Sequence, residues 1–317
     1  MKRKGLSLST IKNYKHLALL ILIMVSLMTS CKSVKNIGEN NALAKHVILV
    51  GSDGFGAYAF EKARIPHLRK MMREGSYSLQ ARSVLPSSSA VNWASMIMGS
   101  GPELHGYTEW GSKTPEVPSR VIGETGIYPS IFNLLEKQKP EAKKGVSYTW
   151  GGIGYLFEKQ WVDLDFNGQD DGQTLKKALE FIVEEKPALT FIHFDEPDVT
   201  GHEIGHDTPE YFQAVEKVDS LVGELLTTLE ENGLMEDTVI LFTADHGGIG
   251  KGHGGKNLLE MEIPWIIFGK NIAGKGKLGS SIVTYDTATT IALLLGLDTP
   301  DFWRGKPVIE ALKTELK

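Results

Sequence analysis

The segment Thr238-Val239-Ile240-Leu241-Phe242-Thr243-Ala244-Asp245-His246-Gly247-Gly248 decides the fold. Its apolar run has the length of a strand buried on both faces, and it stops abruptly at an acid, a histidine and glycines. Two further runs end in the same way. Val47-Ile48-Leu49-Val50 stops at Gly51-Ser52-Asp53-Gly54, and Leu189-Thr190-Phe191-Ile192 runs into Asp195-Glu196-Pro197-Asp198. Amphipathic stretches separate these runs, the pattern of an α/β protein whose mostly parallel sheet is covered by helices. In open α/β sheets ligands bind off the carboxyl ends of the strands. One Asp-Gly junction is only a turn signal. Three of them, on separate strands, predict one convergent site.

The covering helices announce themselves. Thr208, Pro209 and Glu210 are a helix start, after which Val215, Val218, Val222, Leu225 and Leu229 recur at three and four until Gly233 closes the helix. Shorter helices are expected over 65–73, near 92–98, and over 287–295 with Asp286 as cap; 77–84 reads as a strand. With 41% hydrophobic and 23% charged residues, the chain can bury a substantial core, and its 13 Pro and 34 Gly are spread too evenly for collagen or low complexity. No repeat or compositional break divides the chain after position 44, so residues 45–317 read as one catalytic domain.

The N-terminus reads as an address. Lys2, Arg3, Lys4, Lys12 and Lys15 precede any acid, and an apolar run from Leu17 to Met28 is broken only by Ser26. That run is shorter than the ~20 residues that cross a bilayer and suits a signal peptide. The following Leu27-Met28-Thr29-Ser30-Cys31 resembles a bacterial lipobox. The expectation is a lipoprotein signal peptide at 1–30, a lipidated Cys31 opening the mature chain, a polar tether over 31–44, and attachment to the membrane through the lipid. The protein would then face the extracytoplasmic side of a bacterial cell envelope, periplasmic or surface. A single cysteine excludes an intramolecular disulfide and a cysteine-based zinc cluster. The formal charge of −5 shows no nucleic-acid footprint; without the five basic residues of the signal, 29 basic residues face 39 acidic ones.

Asp198 and His202 lie four apart, so one helical turn points both the same way. His246 and His253 are joined by a glycine-rich segment able to fold back over a metal, and imidazole with carboxylate suits Zn²⁺ or another borderline divalent ion. The glycines lack the Gly-Lys-Ser/Thr ending of a phosphate loop. Pro86-Ser87-Ser88-Ser89-Ala90-Val91-Asn92 sets hydroxyls at a helix start, where serines serve as caps and where the positive helix end also favours an alkoxide and a phosphate.

Taken in order, Asp53-Gly54, Pro86-Ser-x-Ser89-x-x-Asn92, Asp198-x-x-Gly-His202, Asp245-His246-Gly247 and His253 resemble the alkaline phosphatase superfamily, most nearly its type I phosphodiesterase/nucleotide pyrophosphatase branch. The likeness runs from about residue 46 to 270. It implies a three-layer α/β/α sandwich and two zinc ions at the carboxyl edge of the sheet. One ion would be held by Asp198, His202 and His253, the other by Asp53, Asp245, His246 and Ser89. Ser89 matches the nucleophile, with Asn92 in support, and the implied activity is hydrolysis of phosphoric esters through a phosphoseryl intermediate.

This chain departs from the family pattern where substrates are held. The Asn expected about twenty residues after the nucleophile falls on Trp110, with Lys113 nearby; the aromatic after the nucleophile is Ala90; and the Tyr before the Asp-x-x-Gly-His motif is His193. Trp110, Lys113 and His193 are therefore the candidate substrate contacts, and the Trp- and Tyr-rich stretch 107–170 is expected to wall the site. A phosphomonoesterase remains an alternative. A sulfatase is disfavoured, because the serine segment lacks the Arg of the formylglycine motif. A non-catalytic ligand-binding lipoprotein conflicts with the complete ligand set.

Overall fold

The computed structural model describes residues 42–313. The signal segment, Cys31 and most of the tether lie outside the described residues. Among those described, no helix is long and apolar enough to cross a membrane.

Among the described residues, eight strands form one sheet: β1 (His46–Ser52), β2 (Ser76–Arg82), β3 (Lys144–Tyr148), β4 (Leu164–Asn167), β5 (Leu189–Phe194), β6 (Thr238–Thr243), β7 (Glu262–Gly269) and β8 (Gly276–Lys277), in the spatial order β4-β3-β5-β1-β6-β7-β2-β8. All run parallel except β7, which is antiparallel to both β6 and β2. The three strands singled out by sequence are immediate neighbours. Val47 pairs with Leu189 on one side and Val239 on the other, so the acids beyond β5, β1 and β6 emerge together. These strands carry continuous apolar runs because helices cover both faces.

The helices fall into two groups. Pro66–Glu74, Asp171–Glu185 and Pro209–Glu231 pack together on one side, while Ser89–Met98, Ile131–Gln138 and Asp286–Leu294 associate on the other. The result is the three-layer α/β/α sandwich of the alkaline phosphatase type. Thr208 caps its helix as expected, its hydroxyl accepting from the Tyr211 N–H, and the buried stripe includes Val215, Val218, Val222, Leu225 and Leu229. Asp286 departs from expectation. It is the first helical residue rather than the cap, and its carboxylate accepts instead from the Val283 and Lys306 N–H groups, tying two loops to the helix.

Candidate active site

Asp53 leaves β1 at the carboxyl edge, and its two oxygens have separate tasks. Oδ2 accepts from Trp93 Nε1 at 3.0 Å and from His193 Nε2 at 3.3 Å, whereas Oδ1 is buried without a partner and lies 3.4 Å from His246 Nε2. The chain turns at once because Gly54 has φ of +65°, and a Cβ there would sit 2.6 Å from Asp198 Oδ1. Asp245 repeats the division beyond β6. Its Oδ1 accepts from the Gly54 and His246 N–H groups, while Oδ2 has no hydrogen-bond partner and stands 3.2 Å from His246 Nε2. Asp198 opens the helix Asp198–Glu203, so His202 returns one turn later with Nε2 3.2 Å from Asp198 Oδ2.

Ser89 is the first residue of the helix Ser89–Met98, and its Oγ lies 3.3 Å from His246 Nε2. The loop before it is fixed by Asn92. The amide donates to the Pro86 and Ser88 carbonyls at 3.1 Å, and its oxygen accepts from the Val84 N–H at 2.7 Å. Asn92 thus positions the serine without facing a substrate.

Four imidazoles are oriented by one device. The Nδ1 atoms of His202, His206, His246 and His253 lie against the carbonyls of Lys251, Gly250, Gly247 and Ser87, at 3.0, 3.2, 2.9 and 3.1 Å. A proton on Nδ1 leaves each Nε2 lone pair facing the acids, the tautomer a metal needs. His202 and His253 then bring Nε2 atoms within 3.0 Å of each other, an arrangement that calls for a cation between or beside them. Among the described residues, two groups meet donor spacing for an ion: Asp198, His202 and His253, and Asp53, Asp198 and His246.

The electrostatics agree. Burial, then the charge of Asp198, pushes the Asp53 carboxyl well above its usual range; burial, then the charge of Asp53, does the same to Asp245. Burial also works against Asp198, yet the His202 and His206 imidazoles hold its carboxyl low. His246 is pushed down to about 3 by burial and by His253. Three carboxylates this close cannot all ionise in a buried site unless cations offset them. With buried oxygens lacking partners on Asp53, Asp198 and Asp245, the residues fit divalent metal.

The expected substrate contacts divide. Trp110 stands over the centre, 66% exposed, lining a cavity of about 320 Å³ with Asp53, Ser89, Asp198 and His202. Its carbonyl accepts from the Ala90 N–H at 3.0 Å, which ties its loop to the helix Ser89–Met98. Lys113 lies in an adjoining cavity, its Nζ 5.4 Å over the Tyr155 ring. His193 departs from its expected role as a substrate contact. It shares one face of β5 with Phe191, is fully buried against Trp93, and supports Asp53 from behind. The aromatic wall comes instead from Trp150, whose ring packs on His193 with centroids 6.5 Å apart.

Sequence reasoning also missed Trp93. Trp93 lies four residues after Ser89, hence on the same side of the helix, a spacing that could have revealed it. His206 is buried, with Nε2 3.6 Å from Asp198 Oδ1. It fits only because Gly201 and Gly248 leave room; a Cβ on either would collide with its ring. Asp195 also reaches the cavity, its carboxyl pushed up to about 7 by burial and by Asp53.

Comparison with known proteins matches this architecture. The family model "Type I phosphodiesterase / nucleotide pyrophosphatase" covers residues 47–251, and the chain belongs to that family. A bis(5'-adenosyl)-triphosphatase ENPP4 of Bos taurus is 24% identical over 240 residues, which are 72% of this chain and 52% of that protein. Human ectonucleotide pyrophosphatase/phosphodiesterase family member 1 is 25% identical over 224 residues, 63% of this chain and 23% of that protein. The chain therefore spans about half or less of the length of these relatives. Among solved structures, murine ENPP5, an inactive form in complex with AMP, superposes with a TM-score of 0.70 at 17% identity, covering 85% of this chain and 100% of that one. A 2-O GAG sulfatase superposes at 0.67 with 14% identity, covering 85% and 74%. At these identities the superpositions speak to the fold.

Proposed function

We propose that the chain is a metal-dependent hydrolase of phosphoric esters, diesters foremost, with Ser89 as nucleophile, attached to a bacterial cell envelope through a lipid on Cys31. The observation that carries the activity is the convergence of the Ser89 hydroxyl with three buried acids whose free oxygens have no other partner. The family names and those of its relatives support the reaction class. Two zinc ions are the proposed complement, one held by Asp198, His202 and His253, the other by Asp53, Asp245, His246 and Ser89.

Divalent cations bound there would supply Lewis acidity, lowering the pKa of the Ser89 hydroxyl and offsetting the charge of a phosphate. Asp53 and Asp245 are aimed by their second oxygens, so each presents a single fixed oxygen to the centre. Ser89 Oγ attacks phosphorus in line, its proton passing to solvent. A bond from Oγ to phosphorus forms, the bond to the departing alcohol oxygen breaks, and that oxygen takes up a proton. Water then displaces the serine, releasing the phosphate monoester and restoring the hydroxyl. The start of the helix favours this chemistry, because the Ser89 and Val91 N–H groups have no partner among the described residues.

The test is Ser89→Ala, with bis-p-nitrophenyl phosphate as substrate and metal measured on the same sample. Turnover should fall by about 10³-fold or more, while most of the zinc is retained. Undiminished turnover would remove Ser89 from the mechanism. Failure of the wild-type chain to bind zinc would remove the dinuclear centre.

A further inference from the structure

The described chain enters the fold at the edge of the sheet opposite the candidate metal ligands. The Leu43 and Ala44 N–H groups donate to the Leu294 carbonyl, and Asn271 donates to the Leu43 carbonyl. From there β1 carries the chain across the sheet to Asp53, a distance of about 20 Å or more. The entry edge also gathers cations. Beyond Asn271 the chain follows this edge to β8, where the Gly276 N–H donates to the Gly75 carbonyl at the start of β2. Here Arg69, Met72, Arg73, Tyr77 and Gly276 line a cavity of about 410 Å³. The helix Pro66–Glu74 and the segment 271–280 carry Arg69, Lys70, Arg73, Lys275 and Lys277 against a single acid, Glu74. Lys70 pairs with Glu230 at 3.1 Å. Arg69, Arg73, Lys275 and Lys277 are exposed and have no ion-pair partner among the described residues. The neighbouring Glu310 is turned to the Gly279 and Ser280 N–H groups.

We infer that this edge is a docking face for the surface of a bilayer containing anionic phospholipid, the same bilayer that holds the lipid on Cys31. The inference rests on the anchor proposed above and not on the chemistry of the site. Chain length is the first argument. The stretch from Cys31 to the start of the described chain spans at most about 40 Å when fully extended. That is less than the roughly 60 Å needed to pass around a body of about 270 residues, so the edge where the chain enters is the one kept near the membrane. Charge is the second argument. Clustered cations beside a membrane attachment are drawn to anionic headgroups, and guanidinium groups match the oxygens of a phosphodiester in shape as well as charge. The cavity between Arg69, Arg73 and Tyr77 admits such a headgroup. Docked in this way, the site at the carboxyl edge opens away from the bilayer, and its esters come from the aqueous phase rather than from the lipids beneath it.

The experiment is lysine acetylation by a water-soluble reagent, read residue by residue by mass spectrometry. It uses the full lipidated chain inserted from outside into preformed vesicles, either of phosphatidylcholine alone or with about 30 mol% phosphatidylglycerol. On the anionic vesicles Lys275 and Lys277 should react about threefold or more slowly than on the neutral ones, and about 0.5 M NaCl should abolish the difference. Lys251 and Lys256, in the loop between β6 and β7 at the carboxyl edge, should react alike on both. Arg73→Glu should lose the protection while turning over a soluble diester at the wild-type rate, and Arg73→Lys should keep it. A chain that floats with both kinds of vesicle yet shows equal rates at Lys275 and Lys277 would overturn the docking face and leave the anchor standing. Protection by dextran sulfate on neutral vesicles, with none from the anionic lipid, would also overturn it, assigning the cations to a soluble polyanion. A chain that fails to float with neutral vesicles would overturn the anchor and the docking face together.

Discussion

At the scale of single residues, the site separates groups that meet the metal or substrate from groups that aim them. His206 belongs with the second kind. Its Nε2 lies 3.6 Å from Asp198 Oδ1, beyond hydrogen-bond distance, while Oδ2 turns to His202, so the buried ring holds Asp198 in place by packing. His206→Ala should weaken metal binding by about 10–100-fold, read by competition with a chelator, with Ser89 still in place. Gly248→Ala should do the same by pushing the ring aside, although it removes no polar atom. Much of this was legible in the sequence: the metal donors stand where strands end, and the Asp198-His202 spacing announced a shared helical turn. His193 misled because the family pattern sets an aromatic substrate contact at its position before the Asp-x-x-Gly-His motif. Its parity on β5 instead puts it beside Phe191, beneath Trp93.

At the scale of elements, the helices on the second face are held by buried polar groups that no periodicity reveals. Ser130 caps the helix Ile131–Gln138, accepting from the Phe132 and Asn133 N–H groups. Glu158, from the loop following a short helical turn, receives both the Ser130 N–H and its hydroxyl. Burial raises the Glu158 carboxyl above its ordinary 4.5 despite these donors. A raised acid binds its proton more tightly folded than unfolded, so the stability it contributes is present below about 4.5 and is lost as pH rises through the folded value. Glu158→Gln should therefore gain on the wild type as pH increases from 4 to 8, measured as a widening difference in Tm. A constant difference would show that the carboxyl titrates alike in both states. The strands were easier to read than these links, since apolar runs of strand length declare themselves locally. The stretch 107–170 walls the cavity as expected, through Trp110 and Trp150, but which of its aromatics meet there was not readable, because only the fold brings together two loops forty residues apart in sequence.

At the scale of the whole molecule, the metal centre joins β5, β1 and β6, and its charges are the least comfortable part of the interior. Chelation should lower Tm as well as abolish turnover, because Asp53, Asp198 and Asp245 are left close together without their counter-ions. The stabilisation on adding zinc back should grow as pH rises, since the carboxyls and imidazoles must lose protons to bind it. Equal Tm shifts at pH 5.5 and pH 8 would contradict that linkage. The order of the strands was beyond sequence reading. Nothing local states that β7 runs antiparallel or that β1 lies between two strands made much later.

That late pairing of β1 has a consequence for how the protein is made. Val47 waits for Leu189 and then Val239, and the last donor, His253, follows both. A nascent chain halted anywhere before that histidine carries incomplete pincers and no finished centre. Any metal that needs all of these donors would therefore be bound only after the end of the chain has folded. Donor sets of this kind discriminate poorly among late first-row ions, so an ion bound there would be chosen by geography: the local metal supply at the moment the sheet closes.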